Sequence, residues 1–155
     1  MKCKIEVRNK KGFADKHGAA VRHSTAEIGL NSIPKNISYA QLYALEGDIS
    51  EHEVRKCVSE LFIDPVTQEY KITYEQPIAQ KTAKVNGLEI WLKAGVTDTV
   101  AQSVAKAIKD LGIEKNITVK TGHQYVFSYE VKEPTIKLIC ERLLANTIIH
   151  RYELI

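Results

Sequence analysis

Residues 140–154 read CERLLANTIIHRYEL, an apolar helical run that stops at Ala-Asn-Thr and continues as an alternating segment. Residues 58–72, VSELFIDPVTQEYKI, follow the same course. Val54, Cys57, Val58, Leu61 and Phe62 hold the i, i+3, i+4, i+7, i+8 positions that Ile136, Ile139, Cys140, Leu143 and Leu144 hold 82 residues later, with no gap. That spacing puts each set of side chains on one helix face. Self-similarity at a long fixed period marks a duplicated unit, and it decides how the rest of the chain is read.

The match extends outward in both directions. Each half opens on a period-two segment, with Cys3, Ile5 and Val7 on one face in the first and Leu88, Ile90 and Leu92 in the second, the pattern of a strand. The turns KKGFAD and KAGVTD follow, in which Gly12 and Gly95 free the backbone and Asp15 and Asp98 can cap the next helix. The first helices carry Ala20, Val21 and Ile28 or Val104, Ile108 and Leu111, and stop at Gly29 and Gly112. Strands rich in β-branched and aromatic residues are expected over 37–45 and 117–129, with Gly122 marking a candidate bulge. Ser50 with Glu53 makes a capping box at the second helix of the first half, and Pro134 suits the first turn of its counterpart. Asp64-Pro65 and Asn146-Thr147 end these helices, and the final strands are expected to hold Val66, Tyr70 and Ile72 or Ile148, Tyr152 and Leu154.

The expected fold is α+β: two tandem β-α-β-α-β repeats, 1–74 and 87–155, related by a pseudo-twofold and joined by the linker EQPIAQKTAKVN at 75–86. Helices would lie on one face of antiparallel or mixed sheets, giving two layers. The middle strand of the first repeat is apolar on both faces, with Ile37, Tyr39, Tyr43 and Leu45 on one and Ala40, Leu42 and Ala44 on the other. Its second face needs a cover, so the two halves, or two chains, are expected to pack through their sheets. Ala40, Leu42, Ala44 and Trp91, which stands on an otherwise polar strand face, are the interface candidates.

Composition narrows the function. With 155 residues, 44% hydrophobic and 26% charged, the chain suits one globular domain or two small ones. The net charge of +3 is spread evenly, and the only dense basic group, Arg8, Lys10, Lys11 and Lys16, is too small to argue for a nucleic-acid partner. No apolar run is long enough to span a bilayer and the N-terminal residues lack a signal-peptide core, so a cytoplasmic protein without a membrane partner is expected. Cys3, Cys57 and Cys140 fall on apolar-periodic positions and form no CxxC pair, which reads as reduced core residues.

No phosphate loop, dinucleotide fingerprint, nucleophile elbow or zincin helix occurs, and no catalytic, cofactor or metal site is expected. His17, His23, His52, His123 and His150 are scattered, with His123 and His150 candidates for neighbours on strands of one half. Asp15 and Asp98 recur at matching positions, where capping is a simpler account than paired catalytic acids. Cys140 precedes Glu141, but its counterpart is Val58, which makes it a core position and not a nucleophile. Tyr125, Phe127 and Tyr129 alternate as core residues do, without the arginines of a base-stacking strand.

Two stretches, EIWLKAGVTDTVAQSVAKAIKDLGI (89–113) and CERLLANTIIHRYEL, resemble the PurS family, the small subunit of phosphoribosylformylglycinamidine synthase. LEGDISEHEVRKCVSELFIDPVTQEY (45–70) resembles more closely the PurS-like N-terminal domain of the fused form of that enzyme. The first half departs from the pattern in Lys11 and Phe13 around its glycine and in the longer connection NSIPKNI against EKNI. The resemblance implies a non-catalytic component that bridges the glutaminase and the ATP-dependent synthetase of the complex. That complex converts formylglycinamide ribonucleotide, ATP and glutamine to the amidine, and this chain would bind no cofactor itself. Family members of single-repeat length associate as dimers, so a tandem copy resembles a covalent dimer, with further homo-oligomerisation open. Because Ile155 falls at a strand, a piece of, or a neighbour to, a synthetase is expected. The alternative is a tandem ACT-like module that senses a small ligand near the glycine turn after its first strand.

Overall fold

A computed structural model describes residues 1–30, 33–75 and 86–155. Strand β1 (Lys2–Asn9) leads to helix α1 (Lys16–Glu27), strand β2 (Ile37–Gly47), helix α2 (Glu51–Cys57) and strand β3 (Gln68–Tyr74). The second repeat gives β4 (Gly87–Leu92), α3 (Thr99–Asp110), β5 (Ile117–Phe127), α4 (Glu133–Ile139) and β6 (His150–Leu154). The expected β-α-β-α-β order is present in both repeats. All but the ends of the expected linker lie outside the described residues.

The local signals work as the chemistry requires. Asp15 and Asp98 cap α1 and α3, accepting from the backbone N–H of Gly18 and Ala101 at 2.8 Å each. Ser50 and Glu53 close a reciprocal capping box on α2, and Lys115 adds an ion pair to Glu53 at 2.9 Å. These bonds hold the Glu53 carboxyl down at about 2, the backbone bond from Ser50 contributing most. Both second helices widen into a π-helical turn, Val58–Phe62 and Cys140–Leu144, closed by Ile63 N–H to Val58 O at 3.2 Å and Ala145 N–H to Cys140 O at 2.8 Å.

The six strands form one sheet in the order β3-β1-β2-β5-β4-β6. Residue pairs such as Ile5↔Tyr43, Ile5↔Ile72, Ile90↔His123 and Ile90↔Tyr152 run antiparallel. The repeats therefore join side by side through β2 and β5, where face-to-face packing of two sheets was expected. Backbone pairing satisfies the donors and acceptors of both middle strands, which would otherwise remain as edges.

The chain divides into two compact units, and neither coincides with a repeat. The first holds β1, β2 from Gln41 onward, α2 with its π-helical turn, β3, α3 and β5 as far as Thr121. Its core joins Cys3, Ile5, Val7 and Leu45 of the strands to Val54, Cys57, Val58 and Phe62 of the first repeat and Ile108 and Ile113 of the second. The second unit holds α1, the start of β2 up to Ala40, β4, β5 from Gly122, α4 with its π-helical turn and β6. Leu88, Ile90, Tyr125, Phe127, Ile136, Ile139 and Cys140 of the second repeat pack there with Ile37, Val21 and Ile28 of the first. Each core thus takes its first helix from the other repeat.

The β4–β5 register runs from Gly87↔Val126 to Trp91↔Gly122; a Cβ on Gly122 would strike the Trp91 ring, so glycine makes room for the indole. Three local expectations are corrected. Val66 and Ile148 sit in turns and not in strands, 68% and 81% exposed. Each turn is held by a side chain, Asp64 accepting from Val66 N–H and Asn146 from Ile148 N–H. Tyr129 lies beyond the end of β5 and is exposed, while Tyr125 and Phe127 are buried. Ala20 is exposed on α1, whose buried residues are Gly18 and Thr25.

Because Ile108 completes a core otherwise built largely on the first repeat, Ile108→Ala is expected to cost about 2–5 kcal/mol. Urea unfolding measures the loss, and hydrogen exchange should show it in β1 and α2, where a fold built repeat by repeat would lose protection in β4 instead.

Candidate functional site

Among the described residues, the densest grouping of titratable and aromatic side chains lies in the second unit, at the start of α1. The Asp15 carboxylate uses one oxygen on Gly18 N–H and the other on the Tyr39 N–H of β2, at 2.8 Å each. This ties the first turn of the helix to one point on the strand. Gly18 lets the helix approach closely, since a Cβ would run into the Ile37 carbonyl oxygen.

With α1 placed this way, His17 stacks on Tyr39, ring centroids 3.8 Å apart and planes within 10°. Its Nε2 shares a hydrogen bond of 2.8 Å with the hydroxyl of Tyr125 on β5. Tyr39 in turn bonds through its hydroxyl to His123 Nδ1 at 2.8 Å, and the two imidazoles stand 6.5 Å apart. Two histidines and two tyrosines, one of each from either repeat, thus form one network. Burial pushes the Tyr125 hydroxyl up to about 12, with smaller contributions from Cys140 and Asp15. Burial also lowers the His17 imidazole below its ordinary value, against an opposing pull from Asp15.

The first unit has the same cap with different chemistry behind it. Asp98 accepts from Ala101 N–H and from both the N–H and the hydroxyl of Thr121. At the repeat-equivalent positions of His17, Tyr39, His123 and Tyr125 stand Val100, Thr121, Gln41 and Tyr43. Tyr43 stacks on Phe62 at 4.2 Å. The His-Tyr network is therefore particular to one unit.

The interface candidates are placed as follows. Ala40 and Leu42 are buried within the chain, Trp91 is buried against Gly122, and Ala44 is half-buried. In the second unit the strand face bearing Trp91 also carries the buried pair Glu89 and Gln124, bonded at 3.2 Å. In the first, buried Glu6 meets Arg8 at 3.2 Å and Lys4 at 3.6 Å. His150 does not join His123; its Nδ1 accepts from Asn146 N–H at 3.0 Å and stiffens the turn before β6. The network of His17, Tyr39 and Tyr125 was missed in sequence. Its signal was a histidine two residues past a helix cap, beside alternating histidine and tyrosine on a distant strand.

The three cysteines are buried thiols. Burial pushes Cys57 up to about 11 and Cys140 to about 12, the nearby Glu53 and Glu141 charges adding to it, so neither presents a thiolate near neutrality. Among the described residues no group of three or more His, Cys, Asp or Glu side chains has metal-binding geometry, and no helix is long and apolar enough to cross a membrane.

Compared with known families, the chain matches the PurS model, described as phosphoribosylformylglycinamidine (FGAM) synthase, twice, over residues 2–76 and 85–155. The chain belongs to the PurS family. Two consecutive matches cover nearly all of it, so the repeat read from the helices is a duplication of the whole PurS unit. Membership links the chain to FGAM synthase and purine biosynthesis. No curated protein matches it.

Asp15→Ala removes both the cap of α1 and its tie to β2, and is expected to cost about 1–2 kcal/mol. Urea unfolding gives the magnitude, and Asp15→Asn, which keeps one acceptor oxygen, should recover part of it.

Proposed function

We propose that this chain is a non-catalytic bridging component of FGAM synthase, holding the synthetase and glutaminase parts of the complex together. The observation that carries the reading is the double family match on cores that interlock across the repeats. A tandem PurS chain built this way is the covalent counterpart of two family subunits.

The chemistry of the side chains supports it. Asp15 and Asp98 spend both carboxylate oxygens on backbone donors, Cys57 and Cys140 are buried with raised thiols, and His17 and His123 are engaged with tyrosines. These groups hold the fold together. ATP and glutamine are used by the partners in this reading.

Affinity-tagged chain is expected to capture the synthetase and the glutaminase from a mixture of the purified components, and to be required for glutamine-dependent synthesis of the amidine. Amidine formation by the chain alone from the ribonucleotide, ATP and ammonia would contradict the reading. Saturable calorimetric binding of an amino acid, with no capture of either enzyme, would favour the ACT-like alternative.

A further inference from the structure

We propose that His17 is a pH-sensitive latch: as the neutral imidazole it holds α1 on the second unit, and on protonation it loosens that helix. Beyond Arg22 Nε–H, which donates to the Pro34 carbonyl at 2.9 Å, the rest of α1 is lightly buried. Its fully buried positions are Gly18 and Thr25, with Val21 and Ile28 only partly buried against the core. α3, its counterpart, buries Ala101 and Ile108, with Val104 partly buried against its core and exposed Val100 where α1 has His17. Polar and aromatic contacts mark the first turn of α1, whereas α3 has a fully buried isoleucine and an exposed valine.

Those contacts depend on the protonation state of His17. Tyr125 is 5% exposed and its hydroxyl bonds to His17 Nε2. With His17 neutral and its proton on Nδ1, Nε2 accepts the phenol proton. A protonated ring has donors at both nitrogens and no acceptor. The contact can then persist only with Tyr125 as the acceptor, and its own O–H loses the partner that Nε2 gave it; a buried donor that loses its partner is costly. The groups around the ring are Asp15 at the cap of α1, Tyr39 on β2, and His123 and Tyr125 on β5, with Cys140 adding to the raised Tyr125 hydroxyl. Asp15 favours the charged ring, but burial opposes it with the larger effect.

The sign follows from the lowered imidazole. His17 is exposed even in the closed state; the opened state, with the ring fully hydrated, takes up its proton near the ordinary value of about 6.5, above the closed state. Closure of α1 is therefore favoured most above that value and weakens as pH falls through it. α3 has no such group, so the same molecule carries its own control.

Hydrogen exchange of the full chain at pH 7.5 and 5.5, corrected for intrinsic rates, tests this. Protection of residues 16–27 should fall several-fold relative to residues 99–110. In His17→Gln, whose amide can still bond Tyr125 but cannot titrate, the difference should vanish. Parallel behaviour of the two helices in the wild type, or an unchanged pH response in His17→Gln, would overturn the proposal. An NMR titration of His17 in the unmodified chain gives a second reading that needs no variant: a value below that of a free imidazole supports the latch, and one above it refutes it.

Discussion

The position of one carboxylate fixes much of this architecture. Asp15 and Asp98 each cap a helix with one oxygen and hold a backbone N–H of the following strand with the other, at Tyr39 and Thr121. The middle strands are 11 residues long and pass through both compact units. Tyr39 lies in the part of β2 belonging to the second unit, and Thr121 in the part of β5 belonging to the first. Each helix is thereby pinned where its strand serves the core of the other repeat. A capping aspartate also reaching two backbone donors loses little mobility for each bond it makes, which suits a carboxylate that must set position as well as end a helix.

The interlocked cores follow from that constraint. Ile108 and Ile113 belong to one core with Cys3, Ile5 and Leu45, while Val21 and Ile28 pack against the core that holds Leu88, Ile136 and Ile139. Neither repeat keeps both of its helices for its own first and last strands. The apolar faces of β1 and β4 share a core with their own repeat's second helix and with a helix from the other half, and each large side chain left exposed without the latter would forfeit roughly 1.5–3 kcal/mol. A duplicated chain secures the arrangement without needing two molecules to meet.

Much of this was legible in the sequence, because helix and strand periods, glycines after helices and capping residues are local signals. The repeat, the element order, the two aspartate caps, the capping box at Ser50 and the burial of Cys140 all follow from residues close together in the chain. Periodicity shows that a helix has an apolar face but not which strands it covers, so the helix exchange was hidden. The π-helical turns were hidden too, since Val58, Leu61 and Phe62 satisfy an α-helical pattern equally well. Val66 and Ile148 misled because β-branched residues next to a strand look like strand, although the Asx bonds from Asp64 and Asn146 hold them in turns. The His17 network joins residues as far as 108 apart, beyond any local pattern. Its absence from the first unit is visible only once the repeats are aligned on the structure.

The exchange of first helices is the central claim, and separating the repeats tests it most directly. Residues 1–74 and 87–155, produced as separate chains, should each fail to form a cooperatively unfolding monomer, and should recover helix content and a single sharp urea transition when mixed in equal amounts. If either piece alone is a monomer that unfolds cooperatively with the stability of the whole chain, its core is complete without the other repeat, and the account of interlocked cores is wrong.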